Sequence, residues 1–114
     1  METFEGRPQP QLRFDRTAAQ DGVVHLAVAG EVDMTTGDCF RQTLLAVLAE
    51  PSVRRLLLDV GGLRFVDSNG VGVLVKAQRA ADERDIGFGI VNAAGPVRGV
   101  LEMLGVYEML AAFP

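Results

Sequence analysis

Apolar residues recur along this chain with two alternating periods, and each change of period marks an element. Leu12 and Phe14 alternate with Arg13 and Asp15, which predicts a short first strand. Asp21-Gly22 follows, a dipeptide suited to a type I′ hairpin turn, whose two central residues both need positive φ. A second strand is predicted from Val23 to about Val32, with Val24, Leu26, Val28 and Val32 on one face and His25, Ala27 and Glu31 on the other. The period then becomes helical at Phe40, Leu44, Val47 and Leu48, with Asp33, Thr35 or Thr36 as candidate caps. Leu56 to Val60 reads as a third strand. A second helix is predicted to start near Ser68 and to carry Leu74, Ala77 and Ala81 on one stripe. Ile86 to Val91 reads as a fourth strand. Pro96 suits a first helical position, having no N–H to leave unpaired, and Val97, Val100, Leu101 and Leu104 complete a helical face that Gly105 terminates. Residues 107–113 fit a last short strand or a fraying end, and the polar residues 1–11, with two prolines, a flexible N-terminal arm.

Strands alternating with helices predict an α/β fold: one domain over residues 12–114, with a central, mostly parallel mixed sheet of four to five strands and three or more helices. In such sheets the loops after the strands gather at one end, and that end carries function. Residues 33–36, 61–68 and 92–96 meet that description.

Composition narrows the classes of function. A chain of 114 residues, 48% hydrophobic and 23% charged, makes one ordinary globular domain. The net charge is -4, and no basic cluster exceeds a pair such as Arg54-Arg55, so nucleic acid is not an expected partner. One cysteine, Cys39, forms no intrachain disulfide, which fits a reducing cytosol. The N-terminus carries acid where a signal peptide needs base, and no apolar run is long enough to cross a membrane. The expected protein is cytoplasmic and monomeric.

Ser68 is the residue with the most chemistry open to it. A helix entrance exposes unpaired N–H groups and the positive end of the dipole, and a hydroxyl there is accessible to solvent. It fits a plain N-cap, a nucleophile or a phosphoacceptor, and Asp67 caps equally well. As a nucleophile it lacks support. A nucleophile elbow wants glycine two residues to either side, but Val66 precedes Ser68 although Gly70 follows it. The one histidine, His25, falls in mid-strand, far in sequence from Ser68. Gly70 and Gly72 match part of a dinucleotide fingerprint whose third glycine is replaced by Val75. Gly87 and Gly89 around Phe88 fit close backbone approach in a strand. Asp59 and Asp67 are a weak pair for acid–base work, and Cys39, His25 and the acids show no metal-ligand spacing. No catalytic residue, metal or cofactor is predicted.

Leu58-Asp59-Val60 through Gly62-Leu63, followed by Phe65-Val66-Asp67-Ser68-Asn69-Gly70-Val71-Gly72-Val73-Leu74, resembles the core signature of the STAS domain family, and its anti-sigma factor antagonist type in particular. Gly30-Glu31-Val32-Asp33 resembles that family's second-strand motif, and residues 97–106 its later helix and turn. The resemblance covers roughly residues 12–110. It implies partner switching: binding to an anti-sigma factor that is itself a serine kinase, phosphorylation at Ser68, and resetting by a serine phosphatase. Asp33, Asp67, Ser68 and Asn69 then belong to the binding surface. Val71 and Val75, one turn apart and offset from the Leu74–Ala81 stripe, fit either that surface or the core. Two other functions remain: a STAS scaffold subunit of a membrane transport complex, which the same resemblance allows, and a small serine hydrolase using Ser68.

Overall fold

Asp21 and Gly22 both take positive φ, 55° and 81°, so the first turn closes as the dipeptide requires. The computed structural model describes residues 12–17 and 20–112. The turn joins β1 (Leu12–Arg16) to β2 (Val23–Val32) as an antiparallel pair in which Phe14 faces Val28. Then come α1 (Gly37–Leu48), β3 (Arg55–Val66), α2 (Ser68–Glu83), β4 (Gly87–Val91), α3 (Gly95–Met103) and α4 (Tyr107–Leu110). β2 pairs parallel with β3 and β3 with β4, giving the sheet order β1-β2-β3-β4. α1 and α2 each return the chain to the next position in the sheet, as the alternating pattern predicts.

One face of this sheet is the floor of the core. Val24, Leu26, Val28, Leu56, Leu58, Val60 and Ile90 are buried there. α1 sets Phe40, Leu44, Val47 and Leu48 against them, α2 adds Leu74, Ala77 and Ala81, and α3 adds Val97 and Leu101. Phe40 stacks on Phe14 with ring centroids 6.5 Å apart, tying α1 to the hairpin. His25, on the opposite face, is exposed.

Three expectations change. β3 continues six residues past Val60, so residues 61–66 are strand and not loop. At Gly61-Gly62 the register with β2 shifts between Ala27 and Ala29, Gly62 pairs with Ala29, and Leu63 and Val66 are buried beyond it. The tail forms the helical turn α4 rather than a fifth strand. Leu110 is fully buried, and only an isolated bridge, Ile90 to Ala111, extends the sheet. There the Ala112 N–H donates to the Ile90 carbonyl at 2.8 Å, and a Cβ on Gly89 would lie 2.6 Å from that of Ala112. Gly89 is thus the close-approach glycine of its strand. Finally, Leu104 is exposed, because α3 ends at Met103 and the chain turns at Gly105. The N-terminal arm, residues 1–11, lies outside the described residues.

Candidate functional site

The parallel strands β2 and β3 end side by side, with Val32 opposite Val66. The Asp67 N–H donates to the Val32 carbonyl at 3.1 Å, so the residue that starts α2 is hydrogen-bonded to the end of β2. Asp67 is the N-cap. Its backbone is extended, and its Oδ1 accepts the Gly70 N–H at 2.8 Å. With the cap supplied by Asp67, Ser68 stands at the first helical position, exposed. Gly70 allows this arrangement. A Cβ on it would lie 2.6 Å from Val32 Cγ1 and 2.7 Å from Val66 Cγ2. Only a glycine lets the helix start this close to the strand ends.

The loop from β2 to α1 folds around Asp33. Its Oδ1 accepts from the Thr35 amide at 2.9 Å and the Thr35 hydroxyl at 2.7 Å. Its carbonyl accepts from the Gly37 amide at 2.9 Å, which caps the first turn of α1 through the backbone. Thr36 takes the N-cap position, but its hydroxyl does other work. It donates to the Glu31 carbonyl at 2.9 Å and accepts the Asp33 N–H at 3.0 Å. The two helix entrances converge: the Asn69 Nδ2 lies 3.6 Å from where a Cβ on Gly37 would stand. Asp33, Asp67, Ser68 and Asn69 therefore share one edge, with Asp38 in the first turn of α1 beside them.

Val71 does not belong to that surface. It is only 4% exposed, within the core cluster, and Val75 is half-buried. The sheet below α2 and α1 beside it bury an arc from Gly70 and Val71 through Val73, Leu74, Ala77 and Ala81, wider than a single stripe. Two large apolar side chains that the pattern did not single out are exposed at the ends of β2 and β3. Met34 is 85% exposed in the loop after β2, and Phe65 is 46% exposed at the end of β3. Neither had a signal in the pattern: Phe65 shares the strand parity of buried Leu63, so alternation alone would bury it, and Met34 lies in a loop.

The edge is poor in catalytic partners. His25 lies seven residues before Val32 along β2, roughly 20 Å from the Ser68 end. Asp59 binds the Gly61 amide at 2.8 Å and lies eight residues before Asp67, well beyond the separation of a carboxylate pair. Among the described residues no group of His, Cys, Asp and Glu could hold a metal ion.

The Thr35 hydroxyl, and after it the Thr35 amide, holds the Asp33 carboxyl below the usual carboxylate range. The fold therefore favours the ionised form. The stability this adds is complete above the unfolded pKa and is lost as pH falls through the lower folded value. Asp33→Asn should flatten the acid limb of a stability–pH profile, read as urea midpoints between neutral pH and about pH 3. An unchanged limb would mean that other carboxylates carry it.

Fold and edge together define a class: small α/β domains that present one serine at the entrance of a capped helix. The chain belongs to the STAS domain family, whose model described as Mlab, STAS domain matches residues 16–111. It is similar to the anti-sigma F factor antagonist of Paenibacillus polymyxa, 23% identical over 81% of this chain and 79% of that protein. The structure of an anti-sigma factor antagonist from Mycobacterium paratuberculosis superposes with a TM-score of 0.73 at 28% identity, covering 90% of this chain and 86% of the other. The murine Slc26a9 anion transporter matches 80% of this chain with only 15% of its own length, at 24% identity and a TM-score of 0.69.

Proposed function

We propose that this chain is an anti-sigma factor antagonist. It docks a kinase-type anti-sigma factor over the Ser68 edge, frees a sigma factor for transcription in a stress response, and releases its partner when Ser68 is phosphorylated. The observation that carries the reading is the division of labour at the start of α2: Asp67 makes the cap and leaves the exposed Ser68 hydroxyl at a dipole-positive helix end. Asp33, Asp67, Ser68 and Asn69 form the polar part of the docking surface, with Met34 and Phe65 as apolar anchors and Val75 at its margin. The protein has no turnover of its own. It works as a monomer in the cytoplasm, needs no cofactor, and is reset by a serine phosphatase. No helix among the described residues is long and apolar enough to cross a membrane.

The test is reconstitution with the anti-sigma kinase of the same genome. Wild-type protein should take up one phosphate, by intact mass, and Ser68→Ala none. Phosphate added to Ser68→Ala would move the acceptor elsewhere. A second reading, a scaffold subunit of a transport complex, is favoured by the fold shared with part of the murine anion transporter. It requires stable co-purification with membrane components and no dependence on Ser68.

A further inference from the structure

α1 and α2 leave an open groove of about 370 Å³ between them, lined by Arg41 and Leu45 from one helix and Val73, Lys76 and Ala77 from the other. Val73 and Ala77 are buried and Leu45 half-buried, so the floor is apolar. The two cations stand on its rim. Arg41 meets Asp38 only at 3.5 Å, and among the described residues no carboxylate pairs with Lys76, the sole lysine of the chain. In a protein of net charge -4 this rim is a local reversal of sign. All five lining residues lie inside helices, whose backbone N–H groups are taken up by the helices themselves and are not free to orient a small molecule. Its shape and charge fit side chains presented by another protein.

The groove is walled by the helix that begins at Ser68. Ser68, Gly72 and Lys76 follow at intervals of four along one ridge of α2. Gly72 lies inside the helix, where glycine is destabilising relative to alanine. This fold gains nothing from it, since a Cβ there would meet no atom within 4 Å. A bare backbone between Ser68 and the cationic rim allows a second backbone to come close.

We infer that this groove is the second half of the partner's footprint. It takes an amphipathic helix of the docked protein, with an apolar side chain on Leu45, Val73 and Ala77 and carboxylates reaching Arg41 and Lys76. The partner's identity rests on the anti-sigma reading; the chemistry of the groove does not.

Two measurements separate them. In the first, affinity for the same-genome kinase is measured with the full chain. Lys76→Glu and Arg41→Glu should each weaken binding by about tenfold, as like charges replace opposite ones. Gly72→Ala should weaken binding while raising Tm by a few degrees. Gly99→Ala in α3, where a Cβ also meets open space, should raise Tm and leave affinity alone. Unchanged affinity for Lys76→Glu, with binding lost in Ser68→Asp, overturns the groove and leaves the anti-sigma reading intact. In the second, a synthetic helical peptide with glutamates flanking a leucine face is titrated into the wild-type domain and followed by amide NMR. Saturable shifts at Leu45, Val73 and Ala77 that vanish in Lys76→Glu support the groove. If the kinase fails to bind wild-type protein, the anti-sigma reading falls and this titration decides alone. Absent shifts, or tighter binding of a lysine-for-glutamate peptide, overturn the inference.

Discussion

Phosphate on Ser68 should lower affinity for the anti-sigma partner by about a hundredfold, a net penalty of roughly 3 kcal/mol. The modification adds about -1.5 to -2 charges at neutral pH. The dipole of α2 welcomes an anion at its start, but at an exposed position that is worth only about 0.3–1 kcal/mol. Against it stand Asp67 next in the chain and Asp33 and Asp38 on the adjoining loop and helix. Docking would also strip water from the phosphate, and a buried charge without a matching cation costs several kcal/mol. Repulsion and desolvation therefore outweigh the dipole unless the partner offers an arginine. The free domain should keep its fold, since the dipole tolerates the anion. Ser68→Ala should bind and Ser68→Asp should bind poorly. Tighter binding of authentic phosphoserine protein would sink this account.

Gly70→Val should destabilise the free domain by about 3 kcal/mol, a large share of the roughly 5–15 kcal/mol that holds such a domain together. The new side chain would start 2.6 Å from Val32 and 2.7 Å from Val66, residues 0% and 2% exposed. Both neighbours are β-branched and have little freedom to rotate away. Better helix propensity recovers less than about 1 kcal/mol of the loss. Chemical denaturation should show a lower midpoint with an unchanged slope. A midpoint equal to wild type would mean that α2 can lift off the strand ends at no cost. The contrast with Gly72→Ala is the point: two residues apart on one helix, one glycine is required by the fold and the other is not.

Much of the architecture was legible because period and turn chemistry agreed. Asp21-Gly22, the alternation through β2, and the helical spacings of Phe40 to Leu48 and Val97 to Leu101 each point to one structure. The start of α2 at Ser68 was legible too, since a polar pair precedes the Leu74–Ala81 stripe. What was not legible depended on tertiary context. Gly61-Gly62 reads locally as a loop, yet β2 alongside keeps it in the sheet. Residues 107–110 carry no decisive period, and burial of Leu110 fixes them as a helical turn. Val71 offered two faces to choose from, and the position of α1 decided for the core. The cap was similarly ambiguous between Ser68 and Asp67, since both residue types cap well; only the Gly70 amide, aimed at Asp67, resolves it.

The bond from the Asp67 amide to the Val32 carbonyl has a thermodynamic implication for association. It fastens the loop that carries Asp33 to the helix that carries Ser68, and Asp33 and Thr35 brace that loop from within. The backbone that carries Asp33 and Ser68 is thus hydrogen-bonded in place before any partner arrives. Recognition at this edge should therefore require no folding of this domain's backbone. Its heat-capacity change should match the apolar area covered, without the excess that accompanies coupled folding.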